Sequence, residues 1–218
     1  MSEDEETRRQ IGELQQDDRP LLVVDVDEVV LEFVTPFGNY LAAQDLDLGL
    51  DKFALHGNIF ARGTRDALAD DRVTALIDGF WDVQADWQQL ALGAPEALAA
   101  LSGHAQVVLL TAMPHRAREH RRRHLEALGL PYALLTTERA KGPAVAQIRN
   151  GARPVAFVDD IVRNHLSVRD AVPDAALFHL MAHGGLRALM GEVPAGITAV
   201  ADWNEAQPLI ARALGIDA

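Results

Sequence analysis

Four short stretches carry side chains that could do chemistry together. Asp25-Val26-Asp27 places two carboxylates with one residue between them, directly after the apolar run Leu21–Val24. Thr111-Ala112 offers a hydroxyl and a backbone N–H after Gln106–Leu110, Lys141 stands just ahead of Gly142-Pro143, and Asp159-Asp160 follows Phe157-Val158. Each alone says little, because Asp and Thr at strand ends commonly form turns or cap helices. Jointly they supply paired carboxylates, a hydroxyl, one ammonium and a second acidic pair. That set can hold a hard divalent cation and a phosphate in one crevice. A carboxylate attacking phosphorus would split hydrolysis into two easier steps. A second carboxylate nearby would protonate the leaving group and later take a proton from water. Mg²⁺ is the expected cofactor, because it removes the repulsion between the attacking carboxylate and the phosphate.

Composition narrows the field. There are no cysteines, which removes disulfides, thiolate metal sites and a cysteine nucleophile. The net charge of −12 disfavours nucleic acid as a partner. No apolar run approaches the ~20 residues that cross a bilayer, so a membrane is not expected either. The basic residues are 18 Arg and only two Lys, Lys52 and Lys141. A solvated basic position in this chain would more often be Arg. A compact ammonium in a tight phosphate site is a reason for Lys141 to be Lys. Lys52 reads as a surface residue of an insertion.

The elements that must position these groups follow from hydrophobic pattern. Continuous aliphatic runs at Leu21–Val24, Gln106–Thr111, Tyr132–Thr136, Pro154–Val158 and Ala176–Leu180 suit strands buried on both faces. Helical patterns lie between them: Pro114–Leu128 ending at Gly129, Pro143–Arg149 ending at Asn150-Gly151, and Arg163–Ala171 before Pro173. Alternation of this kind predicts an α/β fold with a doubly wound, Rossmann-like parallel sheet. Ligands of such sheets bind outside the carboxyl ends of the strands, where all four stretches fall. Residues 31–92 break the alternation and read as helical throughout, with Leu68, Val73, Leu76, Ile77 and Phe80 at roughly helical spacing. The economical layout is a core of residues 19–30 and 93–218, with an α-helical cap of residues 31–92 inserted after the first strand. Phe80, Trp81 and Trp87 would pack inside that cap, with pocket lining as the alternative.

Order, strand context and spacing together resemble the haloacid dehalogenase (HAD) superfamily, mostly phosphohydrolases, over residues 20–182. The resemblance implies Asp25 as nucleophile, Asp27 as acid/base, Thr111 and Ala112 with Lys141 as the phosphate-binding group, and Asp25, Asp27 (through its main-chain carbonyl), Asp159 and Asp160 as the Mg²⁺ set. The insertion looks like that family's cap. Its placement, with Gly93-Ala94-Pro95-Glu96 before the second strand, is similar to the deoxyribonucleotidase-type branch. The implied function is a Mg²⁺-dependent phosphohydrolase acting on a small phosphorylated metabolite, such as a nucleotidase. The family's dehalogenases lack the second Asp of the first motif, so Asp27 favours phosphoryl transfer. Phosphonate cleavage would need a further lysine, for which only Lys52 is available. Glu28 departs from the pattern, standing where Gly is frequent. A positive φ there would cost about 1 kcal/mol or more, and the carboxylate would need a partner or an outward orientation.

Three further readings complete the expectations. Residues 1–18 carry seven acids, Glu3, Asp4, Glu5, Glu6, Glu13, Asp17 and Asp18, against Arg8 and Arg9. They read as a solvated acidic tail with one frayed helical turn, unlike a basic-then-apolar signal peptide, and the protein as cytoplasmic. The basic run from His115 to His124 reads as a solvated helix face paired with the excess acids. His165, His179 and His183 read as caps or satisfied core histidines rather than a second metal site. Two other classes compete. A phospho-acceptor regulatory domain uses similar residues in a different chain order and without a long insertion, and a non-catalytic binding relative would have lost one of the four motifs.

Overall fold

Leu21–Val24 is buried at every position and forms β1, at the centre of a six-stranded sheet. The computed structural model describes residues 4–50, 54–189 and 192–216. The remaining sheet strands are β4 (Gln106–Thr111), β5 (Ala133–Thr136), β6 (Val155–Asp159), β7 (Ala176–Leu180) and β8 (Ile197–Val200). All pair in parallel, in the order β5-β4-β1-β6-β7-β8. The fold is thus a doubly wound α/β sheet. The chain winds outward from β1 through β4 to β5, then returns to the other side of β1 at β6. That reversal opens a crevice beyond the ends of β1 and β6.

Period-two alternation divides the core. Leu22 and Val24 enter one layer with Leu98, Leu125, Trp203, Ile210 and Leu214, from helices α4 (Ala94–Ser102), α5 (Arg118–Ala127) and α9 (Trp203–Leu214). Leu21 and Val23 enter the other with Val145, Ile148 and Val168, from α6 (Lys141–Arg149) and α7 (Val162–Ala171). Strand β8 and helix α9 go beyond the sequence pattern. In β8 only Ile197 and Val200 are buried, which masks its alternation. The end helix is defined by Asp202, whose carboxylate accepts from Glu205 N–H at 3.0 Å, and by Gly215 at φ 68°.

The insertion is not helical throughout. Helices α2 (Val34–Ala42) and α3 (Asp70–Val83) flank an antiparallel ribbon of β2 (Leu46–Leu48) and β3 (Ile59–Ala61). The reason is local. Asp45, Gly57 and Gly63 take positive φ and bracket two short alternating segments too brief to register as strands by pattern. Phe37, Leu41, Ile59, Val73, Leu76, Phe80 and Trp81 form a separate small core that reaches Met113 and Ala117 of the main body. The outbound and return linkers are bonded to each other, with Glu32 N–H donating to Gln89 O and Ala91 N–H to Val30 O, both at 2.9 Å.

The N-terminus is likewise more than a solvated tail. Helix α1 (Glu5–Ile11) docks beside β5, with Thr7 and Gln10 buried. β5 is an edge strand with backbone groups to satisfy. Thr136 N–H donates to Gln10 Oε1 at 2.8 Å, and the Thr7 hydroxyl donates to Thr136 O at 2.8 Å. Asp4 caps the helix through Thr7 N–H and accepts from Glu138 N–H at 2.9 Å. Two side chains therefore do for this edge what a further strand would do.

Candidate active site

β1 ends in Asp25, β4 in Thr111 and β6 in Asp159, while α6 begins with Lys141. The parallel register brings these ends to one crevice. Carboxylate oxygens of Asp25, Asp159 and Asp160 lie within 4.8 Å of one another, and all three residues are buried. Lys141 is 1% exposed, and its Nζ lies 2.7 Å from both Asp25 Oδ1 and Asp159 Oδ2. It reaches this place because α6 packs closely on α7. A Cβ on Gly142 would fall 2.0 Å from Ser167 O.

The two acids of the β6 stretch differ. Asp159 is saturated: Oδ1 accepts from Ile161 N–H at 2.8 Å and Asn164 Nδ2 at 3.0 Å, and Oδ2 accepts from Lys141. Asp160 has no hydrogen-bond donor among the described residues and lines the chamber over the site, which Asp159 does not. Asp159 therefore holds Lys141 and Asn164, leaving Asp160 beside Asp25 as the carboxylate free for a cation. Burial pushes Asp25 up to about 7; Asp159 and Asp27 add to the rise and Lys141 opposes it. Burial also raises Asp160 well above the ordinary carboxylate range, again helped by Asp159 and Asp25. The Lys141 ammonium, disfavoured by burial, is held charged by Asp159 and Asp25. Among the described residues, Lys141 pairs with Asp25 and Asp159 and Arg121 with Asp27, two cations against the five carboxylates of Asp25, Asp27, Glu28, Asp159 and Asp160. Hard oxygen donors with excess negative charge fit a divalent cation of the Mg²⁺ type.

Asp27 and Glu28 are each tied in place. Asp27 Oδ1 accepts from Gln88 Nε2 at 2.8 Å and Arg121 at 3.0 Å, and Oδ2 from the Thr111 hydroxyl and Arg121, both at 3.2 Å. In this arrangement the Thr111 hydroxyl faces Asp27, while Thr111 and Ala112 both line the chamber. Glu28 has φ 65°, so the strain anticipated for a non-glycine residue is present. Its carboxylate accepts from Phe33 and Val34 N–H at 3.0 and 2.9 Å and from His183 N–H, joining the start of the cap to the loop after β7. Burial disfavours this carboxylate and raises its pKa, and the three N–H donors and His183 oppose that rise; at roughly 1.5–3 kcal/mol each, the bonds offset both the desolvation and a strain of about 1 kcal/mol.

The chamber holds about 300 Å³. Its floor is Asp25, Asp27, Thr111 and Asp160; its walls are mainly Phe33, Val34, Leu48, Leu55, Trp81 and Leu186, with Asn58 as a polar cap residue. Trp81 and Phe33 thus line the pocket, whereas Phe80 is fully buried. The cap lies over the carboxyl ends of the strands.

Other readings are settled by position. Arg116 pairs with Asp78 and Asp82 of α3, and Arg122 with Glu119 and Glu126, as expected of a solvated face. Arg121 is the exception, buried completely against Asp27. It falls on the stripe Ala117, Arg121, Leu125 and Leu128, a spacing that could have marked it as inward-facing. Asn164, five residues after Asp159, carried no such signal. His165 and His179 rings stack edge-on at 5.6 Å, and among the described residues neither nitrogen of His179 has a hydrogen-bond partner, unlike a satisfied core histidine. His183 Nδ1 accepts from Leu186 N–H, and among the described residues the histidines form no metal-binding group. Lys52 lies outside the described residues.

A parallel sheet wound in this order, with a cap inserted after the first strand, is the fold of the haloacid dehalogenase-like hydrolases. Solved structures of such proteins superimpose over nearly the whole chain. A HAD family hydrolase from Deinococcus radiodurans R1, crystallised with bound phosphate and sodium, aligns with a TM-score of 0.59 at 17% identity, covering 90% of this chain and 96% of that one. A haloacid dehalogenase-like family hydrolase from Streptococcus pneumoniae gives 0.58 at 10% identity over 88% and 99%. A conserved haloacid dehalogenase-like protein of unknown function from Agrobacterium tumefaciens C58 gives 0.56 at 15% identity over 89% and 98%. No protein-family model matches the sequence, and no curated protein is similar to it. No helix among the described residues is long and apolar enough to cross a membrane.

Proposed function

We propose that the chain is a Mg²⁺-dependent phosphomonoester hydrolase working through an aspartyl-phosphate on Asp25. The observation that carries this reading is the buried Asp25, Asp159 and Asp160 cluster, bridged by Lys141 and set at a chamber whose other walls come from the cap. Asp25 and Asp160 would hold the cation, with the main-chain carbonyl of Asp27. Bound Mg²⁺ would screen the two anions that must meet and stabilise charge on the phosphoryl oxygens. Asp25 supplies the attacking oxygen, and the Lys141 ammonium favours its ionised form against the burial that disfavours it. Asp27, whose oxygens accept four donors here, would give up one of them to carry a proton, donate that proton to the departing alkoxide and take one from the water that hydrolyses the acyl-phosphate. Lys141 and the Ala112 N–H are placed to meet phosphoryl oxygens. The cap excludes bulk water from the intermediate. That the structurally similar Deinococcus protein was crystallised with bound phosphate supports phosphate as a ligand.

The largely apolar walls favour a small ester with an uncharged, planar or apolar leaving group, a class that includes nucleoside monophosphates. The test is a panel of nucleoside monophosphates, sugar phosphates, phosphorylated carboxylic acids and a haloacid, each with Mg²⁺ and with EDTA. The expected result is Mg²⁺-dependent release of phosphate, fastest for esters with neutral leaving groups. Halide release, or phosphate release undiminished by EDTA, would overturn it.

A further inference from the structure

Arg121 is the group in this site that the chemistry above leaves unused. It is fully buried on α5, outside the four motif stretches. A buried ion pair is a poor device for stability alone, since desolvating both charges offsets much of their attraction. What this pair does well is fix a geometry. The guanidinium fork meets both oxygens of Asp27, NH2 to Oδ1 at 3.0 Å and NH1 to Oδ2 at 3.2 Å. Two of its three other N–H donors are also taken. Nε donates to Gln84 Oε1, NH2 to Gln88 Oε1 at 3.1 Å, and the group lies 5.5 Å from the Trp81 ring centroid. Arg121 therefore has one orientation available, and so has Asp27.

Gln88 adds a second link. It lies on the linker returning from the cap, and its Nε2 donates both to Asp27 Oδ1 at 2.8 Å and to Glu32 O on the outbound linker at 3.1 Å. One side chain thus touches both linkers, Asp27 and Arg121. We infer that Arg121 is a positioning residue for the Asp27 carboxylate, and that Gln88 makes this position depend on the seating of the cap. The inference rests on the reading of Asp27 as the proton-transferring group. The two linkers are bonded to each other, so a displacement of the cap that shifts them together would carry Gln88 away from Asp27 and release one of the bonds on that carboxylate. The chamber would then be joined to a correctly aimed carboxylate only when the cap is seated.

The test uses the full chain with saturating Mg²⁺ and two substrates, an alkyl phosphate and a nitrophenyl phosphate. Arg121→Met keeps the bulk and removes the fork. A misplaced catalytic group can cost about 10²-fold. Turnover of the alkyl ester should fall roughly 10–100-fold, with KM changing less than about threefold. The nitrophenyl ester, which needs little protonation, should lose much less. Arg121→Lys should recover only part of the loss, because an ammonium has no fork. Gln88→Leu, which leaves Arg121 in place, should give a smaller loss with the same preference for the alkyl ester. In the double variant with Asp27→Asn, the Arg121→Met effect should vanish. An active wild type whose Arg121→Met and Gln88→Leu slow both esters equally, or whose effects multiply with Asp27→Asn, overturns this inference alone. A wild type that hydrolyses no phosphate ester overturns the parent reading and this one with it. Should Arg121→Met fail to fold, Arg121→Lys and Gln88→Leu decide by the same criteria.

Discussion

Asp25 and Asp27 are two residues apart yet meet different neighbours, and this separates their roles. Asp25 is bonded to Lys141 and its own following N–H, leaving one oxygen toward the chamber. Asp27 receives an arginine fork, an amide and a hydroxyl. Asp25→Asn should abolish phosphoenzyme, because an amide is a poor nucleophile. Asp27→Asn should retain a trappable phosphoenzyme with an aryl ester while alkyl turnover falls about 10²–10⁴-fold. Acid-quench trapping with both esters checks this; wild-type alkyl turnover by Asp25→Asn would dismiss the mechanism. Glu28 makes a second case. Glu28→Gly removes the φ strain but also three backbone bonds, so a net loss of about 1–3 kcal/mol is expected in urea unfolding. Motif residues were legible because strand ends and residue types coincide. The division of labour between Asp159 and Asp160 was not, because it depends on which way each side chain leaves the strand end. Arg121 was hidden inside a charged run whose neighbours are indeed solvated.

Helix α1 shows how an element can be misread from composition. Its acids suggest a solvated tail, yet Asp4, Thr7 and Gln10 are the groups that complete the β5 edge. Burial disfavours the Asp4 carboxylate, but N–H donors from Glu138 and Thr7 and the nearby His115 outweigh it and hold its pKa down, at about 2 against an ordinary 3.8. The sign follows from linkage. A lowered folded-state pKa contributes stability that is complete above about pH 4 and lost as pH falls toward 2. Asp4→Asn should therefore lower the thermal midpoint at pH 5, and the gap from wild type should narrow by pH 2.5. A gap unchanged across that range would show that the charge is immaterial. The five buried strands read directly from their aliphatic runs, since burial on both faces leaves a continuous signal. The cap ribbon and β8 did not, because segments of three or four residues show too little alternation.

Across the whole molecule, histidine placement sets a pH limit at the acid end. His179 lies on β7 beside Asp159 with neither ring nitrogen bonded among the described residues, and burial lowers its pKa. A buried neutral imidazole favours the folded state above its ordinary pKa, near 6.5, and costs stability as pH falls below it. His179→Leu removes the unbonded nitrogens at similar volume. It should raise stability by about 1 kcal/mol at pH 7.5 and by more at pH 5.5. Denaturant midpoints at the two pH values check this, and an equal gain at both would remove the titration from the account. The strand order has a consequence for synthesis. β1 is made first but pairs with β4 and β6, so Leu21 waits for Gln106 and then for Val155. At roughly 5–20 residues per second, an aliphatic strand leaves the ribosome and waits about 4–17 seconds for its first partner and about 7–27 seconds for its second. The cap, whose small core is drawn mostly from residues 33–87, emerges complete within that interval. A nascent chain of this protein would therefore carry a nearly finished lid on an unassembled base, with β1 the segment most in need of a chaperone.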